Sequence, residues 1–169
     1  YPAFIKKISE NKNNKKKYDL CTVARLEYRK GHHLVSEAMS ILRNEYKIIL
    51  KYAILGDGPE LSRLKDLVLK FSLQKQVDFI HHDVSSEKIF KNSSVHIMPT
   101  ITTPESIEGF GISNVEAASY GLPCIVSNSG GTPESIGNNG LIVKENNPKQ
   151  LVNCLLYTSP SPRDFEASR

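Results

Sequence analysis

The sequence predicts an α/β domain: a parallel, Rossmann-like sheet with helices on both faces. Three observations carry this. Short apolar runs alternate with stretches of helical periodicity from residue 20 to residue 156. The apolar runs lack the polar alternation of a half-exposed strand, so they are buried on both faces. Gly, Pro and Asp punctuate the junctions between the two kinds of segment. Strands that alternate with helices in this way build a parallel sheet through crossover connections.

Taken in order, residues 1–19 read as a Lys/Asn-rich linker. Residues 20–24 form a first buried strand. Leu34, Val35, Ala38, Ile41 and Leu42 are spaced for one helix face, which predicts a helix over 33–46. A strand over 48–55 is closed by Gly56-Asp57-Gly58-Pro59. Leu61, Leu64, Leu67, Val68 and Phe71 then place an amphipathic helix over 59–73. Residues 77–80 are a strand, 85–90 a short helix and 95–98 a strand. A loop over 99–109 leads to a helix from about 112 to 120, which stops at Gly121. Residues 123–127 are a strand, Gly130-Gly131 a turn and 133–136 a short helix. A last strand over 141–143 precedes a helix that starts at Pro148. The domain is expected to span 20–156. Residues 157–169 hold two prolines, three serines and no periodicity, and are expected to be a non-native or disordered tail.

Composition narrows the function classes. The chain has 169 residues, is 39% hydrophobic and 24% charged, and has no apolar stretch of membrane-spanning length. Six lysines against Glu10 give residues 1–17 a net charge of +5, so the remainder is close to −1 of the overall +4. The expected folded part has no basic face, which argues against nucleic-acid binding. The Lys-rich stretch reads as a solvated linker, with peripheral contact to an anionic membrane surface as its alternative role. Cys21, Cys124 and Cys154 are odd in number and widely spaced, as expected of buried reduced thiols in a cytoplasmic protein.

In parallel α/β folds ligands bind beyond the carboxyl ends of the strands. That rule gathers Arg25, residues 56–59, 81–84, 99–111 and 127–132 on one rim. Within it, Glu108-Gly109-Phe110-Gly111-Ile112 opens a helix that carries Glu116. Bare N–H groups at a helix start suit an anion such as phosphate. Carboxylates beside them suit hydroxyls. Together they suggest a ligand with both, such as a nucleotide sugar. Eight helical residues span about 12 Å, wider than the roughly 5–9.5 Å between glycosidase carboxylates, so Glu108 and Glu116 make a poor hydrolytic pair. Gly56-Asp57-Gly58 lacks the third glycine of a dinucleotide fingerprint because residue 61 is Leu. A plain strand-to-helix turn explains it equally well. His81-His82-Asp83 is not expected to bind metal, since neighbours on a strand point opposite ways. His32-His33 is expected at the surface, and His96 in the core.

Four segments, Val23-Ala24-Arg25-Leu26-Glu27-Tyr28-Arg29-Lys30-Gly31, Gly56-Asp57-Gly58-Pro59-Glu60, Glu108 through Pro123, and Gly130-Gly131-Thr132-Pro133-Glu134, stand in this order. Together they resemble the C-terminal donor-binding domain of the retaining GT-B glycosyltransferases, the glycosyltransferase group 1 family, over roughly residues 20–155. The resemblance implies that Arg25 and Lys30 grip the donor diphosphate, with Arg29 a competitor for the role of Lys30. It implies that Glu108 lies at the donor sugar and that Glu116 receives ribose hydroxyls. Gly109, Phe110, Gly111 and Ile112 would present backbone N–H groups to sugar and phosphate, Gly56 and Gly58 would lie near the nucleotide, and His82 and Val84 would lie by the nucleobase. A family glycine is replaced near His81.

The implied reaction is sugar transfer from a nucleotide-diphosphate sugar with retention of configuration, without cofactor or metal. The acceptor, a glycan or lipid-linked glycan, would bind an N-terminal domain absent from this sequence. The implied location is the cytoplasm, at the face of a membrane. Two other readings stay open: a non-catalytic nucleotide or nucleotide-sugar binding module, and an interaction protein that works through its Lys-rich segment.

Overall fold

The computed structural model describes residues 16–158. Most of the expected Lys-rich linker and all of the tail beyond Thr158 lie outside the described residues. Six strands form one parallel sheet: β1 (Tyr18–Val23), β2 (Tyr52–Leu55), β3 (Val77–Ile80), β4 (Ser93–Met98), β5 (Cys124–Ser127) and β6 (Gly140–Val143). Their order is β3-β2-β1-β4-β5-β6, with every pairing parallel. The direction of winding reverses between β1 and β4, so a crevice opens there at the carboxyl end of the sheet.

The helices are α1 (His32–Tyr46), α2 (Leu61–Lys70), α3 (Ser86–Lys91), α4 (Ile112–Ser119), α5 (Thr132–Ile136) and α6 (Pro148–Thr158). They divide between two apolar layers because successive strand side chains face opposite ways. Leu20, Tyr52, Ile54, Ile97 and Ile125 face one layer, where Leu34, Val35, Ala38, Met39 and Leu42 of α1 meet Leu64 and Val68 of α2 and Leu151 and Val152 of α6. Cys21, Ala53, Leu55, Cys124 and Val126 face the other, covered by Ile89 and Phe90 of α3, Ala117 of α4 and Ile136 of α5. Each large apolar side chain moved from water to such a layer contributes roughly 1.5–3 kcal/mol.

The expected fold class and order of elements hold, and the differences have local causes. β1 begins at Tyr18, two residues inside the expected linker, because the Tyr18 N–H already donates to the Asn92 carbonyl at 2.9 Å. β2 begins at Tyr52 rather than Ile48. Ile48 and Leu50 are buried and Ile49 is exposed, so the alternation is strand-like. The Lys51 N–H, however, is taken by the Asp19 carboxylate at 2.7 Å instead of a ladder carbonyl. α6 continues to Thr158, two residues past the domain end expected at residue 156 and into the expected tail. His32 was expected at the surface and is instead 1% exposed. It opens α1 on the face that turns inward, and burial pushes its imidazole down to about 3. No helix among the described residues is long and apolar enough to cross a membrane.

Candidate functional site

The β1–α1 loop and the loop after β4 meet across the crevice. A short 3-10 turn, Tyr28–Lys30, ends the first loop, and the Arg29 carbonyl accepts the Ile101 N–H at 2.7 Å. This backbone bond brings the basic pair against the second loop. Arg29 Nη1 lies 3.0 Å from Glu108 Oε2, and Lys30 Nζ bonds the same oxygen. Lys30 and Glu108 are each 12% exposed, so solvent screens the contact less than it screens a surface pair.

Arg29 also reaches Glu27 Oε2 through Nε at 2.9 Å, and Glu27 Oε1 accepts from Arg25 Nε at 2.8 Å. The result is a chain of alternating charge, Arg25–Glu27–Arg29–Glu108–Lys30. Burial alone would raise the Glu108 carboxyl, but the Lys30 and Arg29 cations outweigh it and hold the carboxyl below its ordinary range. The hydrogen bond from Arg25 is the largest of the effects that hold Glu27 low.

Close backbone approach fixes the Glu108 loop from behind. The Gly131 N–H donates to the Glu108 carbonyl at 3.1 Å. A Cβ on Gly130 would fall 2.0 Å from that same carbonyl oxygen, so the Gly-Gly turn leaves room for the loop to sit there. Further along, the Glu145 carboxylate takes both the Thr102 N–H at 3.2 Å and the Thr102 hydroxyl at 2.6 Å. Gly56 plays a similar part for the first loop. A Cβ there would lie 2.0 Å from the Ala24 carbonyl oxygen, and the Leu26 N–H donates to the Asp57 carbonyl at 2.9 Å. This close packing is reason enough for glycine at residue 56, and Gly58 is packed in the same way against Leu26.

α4 starts immediately beyond Glu108. Gly111 precedes it in the left-handed conformation, with φ of 77°. Phe110 and Ile112 are 47% and 78% exposed, so the helix entrance is apolar and open. Glu116, one turn on, accepts from the Ser86 hydroxyl, which ties α4 to the start of α3. Below the crevice, Val23 N–H donates to His96 Nε2 at 3.3 Å. His96 is fully buried, as expected of a core histidine, and its pKa is pushed down to about 4 by burial.

The structure therefore brings Lys30, Glu108, Gly109, Phe110, Gly111 and Ile112 together at the winding reversal. It does not bring Arg25 against Glu108: that side chain is 71% exposed and held by Glu27. Arg29, weighed in the sequence only as a rival to Lys30, stands beside it. Glu27 was missed as a participant, although its position between two arginines was a readable signal. Ser86 and Glu145 had no signal at all, since their partners lie far off in sequence. His82 and Val84 lie past the end of β3, in the turn closed by the Val84 N–H on the His81 carbonyl at 3.1 Å. The argument from strand alternation does not apply to this turn. The His81 and His82 rings lie with centroids 4.1 Å apart and planes tilted by 37°, and His81 Nδ1 meets Asp83 at 2.9 Å.

Known proteins match this architecture. The family model for "Glycosyl transferases group 1" matches residues 4–159. WcaL of Escherichia coli K12, named for colanic acid biosynthesis, is 30% identical over 151 residues, covering 86% of this chain and 37% of its own length. A glycosyltransferase structure from Rickettsia africae superposes with a TM-score of 0.73 at 24% identity, covering 94% of this chain and 42% of the other. The Anabaena protein Alr3699/HepE, solved with UDP and glucose, superposes with a TM-score of 0.71 at 19% identity, covering 94% and 42%. The chain spans about a third of the length of the curated relatives it matches. With the family model matched over nearly all of its residues, the chain belongs to the group 1 glycosyl transferases.

Proposed function

We propose that this chain is the donor-binding domain of a longer enzyme that transfers a sugar from a nucleotide-diphosphate sugar to an acceptor with retention of configuration. The observation that carries the reading is the meeting of Arg29 and Lys30 with Glu108 at the β1/β4 crevice. A sugar nucleotide needs a cation for its diphosphate and an acceptor carboxylate for its hydroxyls, and Lys30 and Glu108 stand here within one hydrogen-bonded cluster. Family membership and the UDP and glucose found in the Anabaena relative support the same class of ligand.

In this reading the diphosphate lies over Lys30 and the amino end of α4, where the helix dipole adds roughly 0.3–1 kcal/mol toward an anion. As the glycosidic bond breaks, negative charge gathers on the leaving diphosphate. The Lys30 ammonium, passed from Glu108 to the diphosphate as the donor binds, stabilises that charge. The ammonium of Lys30 acts as a point charge on a flexible stem. Glu108 accepts hydroxyls of the sugar, and Glu116 accepts those of the ribose. Lys30 and the amino end of α4 supply positive potential at the leaving group, so the reaction needs no metal or cofactor. The acceptor, a glycan or lipid-linked glycan, belongs to a second domain of the longer protein, at the cytoplasmic face of a membrane.

Calorimetric titration with UDP, GDP and ADP tests the reading, with and without magnesium, in the wild type and in Lys30→Ala. Saturable binding of one nucleotide, indifferent to magnesium and weakened by Lys30→Ala, is expected. A folded chain that binds none of them, or binds equally well without Lys30, would overturn it.

A further inference from the structure

Glu108 meets its two cations through one oxygen. Arg29 Nη1 and Lys30 Nζ both bond Oε2, and among the described residues no hydrogen bond to Oε1 occurs. The carboxylate thus commits one oxygen to the protein and, among the described residues, leaves the other without a protein donor. The two cations differ in what else holds them. Lys30 has a single carboxylate partner and a flexible stem. Arg29 is fixed at both edges, with Nε on Glu27 at 2.9 Å and Nη1 on Glu108 at 3.0 Å. Its backbone carbonyl is bonded to Ile101. Glu27 is steadied in turn by Arg25.

A ligand diphosphate entering this crevice competes with Glu108 for Lys30. It also repels Glu108, because two anions close together disfavour each other's charge. A lone Lys30–Glu108 pair would lose its carboxylate geometry at the moment the donor arrives. Arg29 removes that difficulty, since its planar fork is already committed to the two carboxylates and does not need to move.

We propose that Arg29 is a positioning residue: clamped between Glu27 and Glu108, it keeps Glu108 aimed at the donor's sugar when Lys30 transfers to the diphosphate. The inference rests on the donor-binding reading above and deepens it. It assigns Arg29 to recognition of the sugar and Lys30 to recognition of the nucleotide diphosphate.

The two roles separate in a binding experiment on the intact chain. Each nucleotide is compared with its sugar derivative: UDP with UDP-glucose, GDP with GDP-mannose and ADP with ADP-glucose. For the pair that binds the wild type, Arg29→Met leaves nucleoside diphosphate affinity within about twofold. It weakens the sugar nucleotide about ten- to 150-fold, the range of one charge-assisted hydrogen bond lost or misdirected. Glu108→Gln acts in the same direction, and the double variant is little worse than either single one, because both changes remove the same contact. Arg29→Lys restores only part of the loss, since a single ammonium cannot span both carboxylates. Lys30→Ala weakens both members of the pair.

Equal weakening of nucleotide and sugar nucleotide by Arg29→Met would overturn the assignment and make Arg29 a phosphate ligand. Unchanged affinity for both would reduce it to a structural ion pair. A second measurement stands apart from ligand: the Glu108 carboxyl, followed by NMR in the nucleotide-free chain, titrates at higher pH in Arg29→Met. A midpoint that does not move would overturn the clamp even if nucleotides bind. A wild type that binds no nucleotide while its Glu108 midpoint responds to Arg29→Met would sink the donor-site reading and leave the clamp a structural device without the proposed role.

Discussion

Replacing Gly131 by alanine tests whether loop contact places Glu108. Gly131 has φ of −85° and ψ of 8°, a conformation open to any L-residue, so no backbone strain accompanies the change. The new Cβ would lie 2.1 Å from the Gly109 carbonyl oxygen, and ordinary contact starts near 3.4 Å, leaving a deficit of about 1.3 Å. Both sides of the clash are backbone, and no rotamer change relieves it. Residues 108–110 must retreat, stretching the Gly131 N–H bond to the Glu108 carbonyl.

Forced backbone shifts of this kind cost about 1–3 kcal/mol, a fall in Tm of about 2–12 °C for a domain of this size. The displaced loop carries Glu108 away from Arg29 and Lys30. In the longer enzyme proposed above, a misplacement of about 1 Å would lower turnover on the order of 100-fold. The comparison variant is Gly109→Ala, whose Cβ would meet nothing within 4 Å. It should leave Tm unchanged and weaken sugar-nucleotide binding only if the ligand passes close to that backbone. The assays are thermal unfolding, amide NMR shifts over residues 107–111, and titration with the nucleotide sugar. Wild-type Tm together with unmoved amides in Gly131→Ala would refute the reasoning.

Other consequences are open to measurement. His96 is buried neutral, with a pKa of about 4 against an ordinary 6.5. The unfolded chain therefore binds the extra proton, and the stability this group contributes is complete above pH 6.5 and lost as pH falls toward 4. The loss is about 3 kcal/mol at pH 4. Urea unfolding across that range measures it, and His96→Gln should make the curve shallower while the share of His32, buried with a pKa of about 3, remains. Removing the Glu145 carboxylate by Glu145→Ala frees the Thr102 N–H and hydroxyl. Faster amide exchange at Thr102 is expected, with about 1 kcal/mol lost in denaturant unfolding. The Cys21 thiol is pushed up to about 12 by burial, whereas Cys154 is only partly buried. Iodoacetamide at pH 8 should therefore label Cys154 in the native protein and Cys21 only after unfolding, as read by mass spectrometry.

Sequence alone determined the order and type of the elements, because each is written in a short window. The 3.6-residue spacing of Leu34, Val35, Ala38, Ile41 and Leu42 defines α1 wherever that helix docks. The uninterrupted apolar runs at β2 and β5 could be buried only on both faces, and they are. The parallel sheet follows from their alternation with helices. The Glu108–Ile112 segment was legible as a candidate site for the same reason, since a helix start carries its chemistry locally, whereas Lys30 entered through the family resemblance.

Tertiary structure decided which charges meet. Arg29 and Glu108 are 79 positions apart, and their contact depends on β1 and β4 being neighbours at the winding reversal. It depends as well on glycines 130 and 131 admitting the Glu108 loop. None of that is periodic, so no window reveals it. The same holds for Arg25, whose exposed side chain pairs with Glu27 rather than with Glu108. It holds for His32, a polar residue at a helix start that the docking of α1 drew into the core. Local sequence dictates backbone preference and which face is apolar. The partner of a charge is a property of distant chain segments, settled only when strand order and loop contact bring them within a few ångströms.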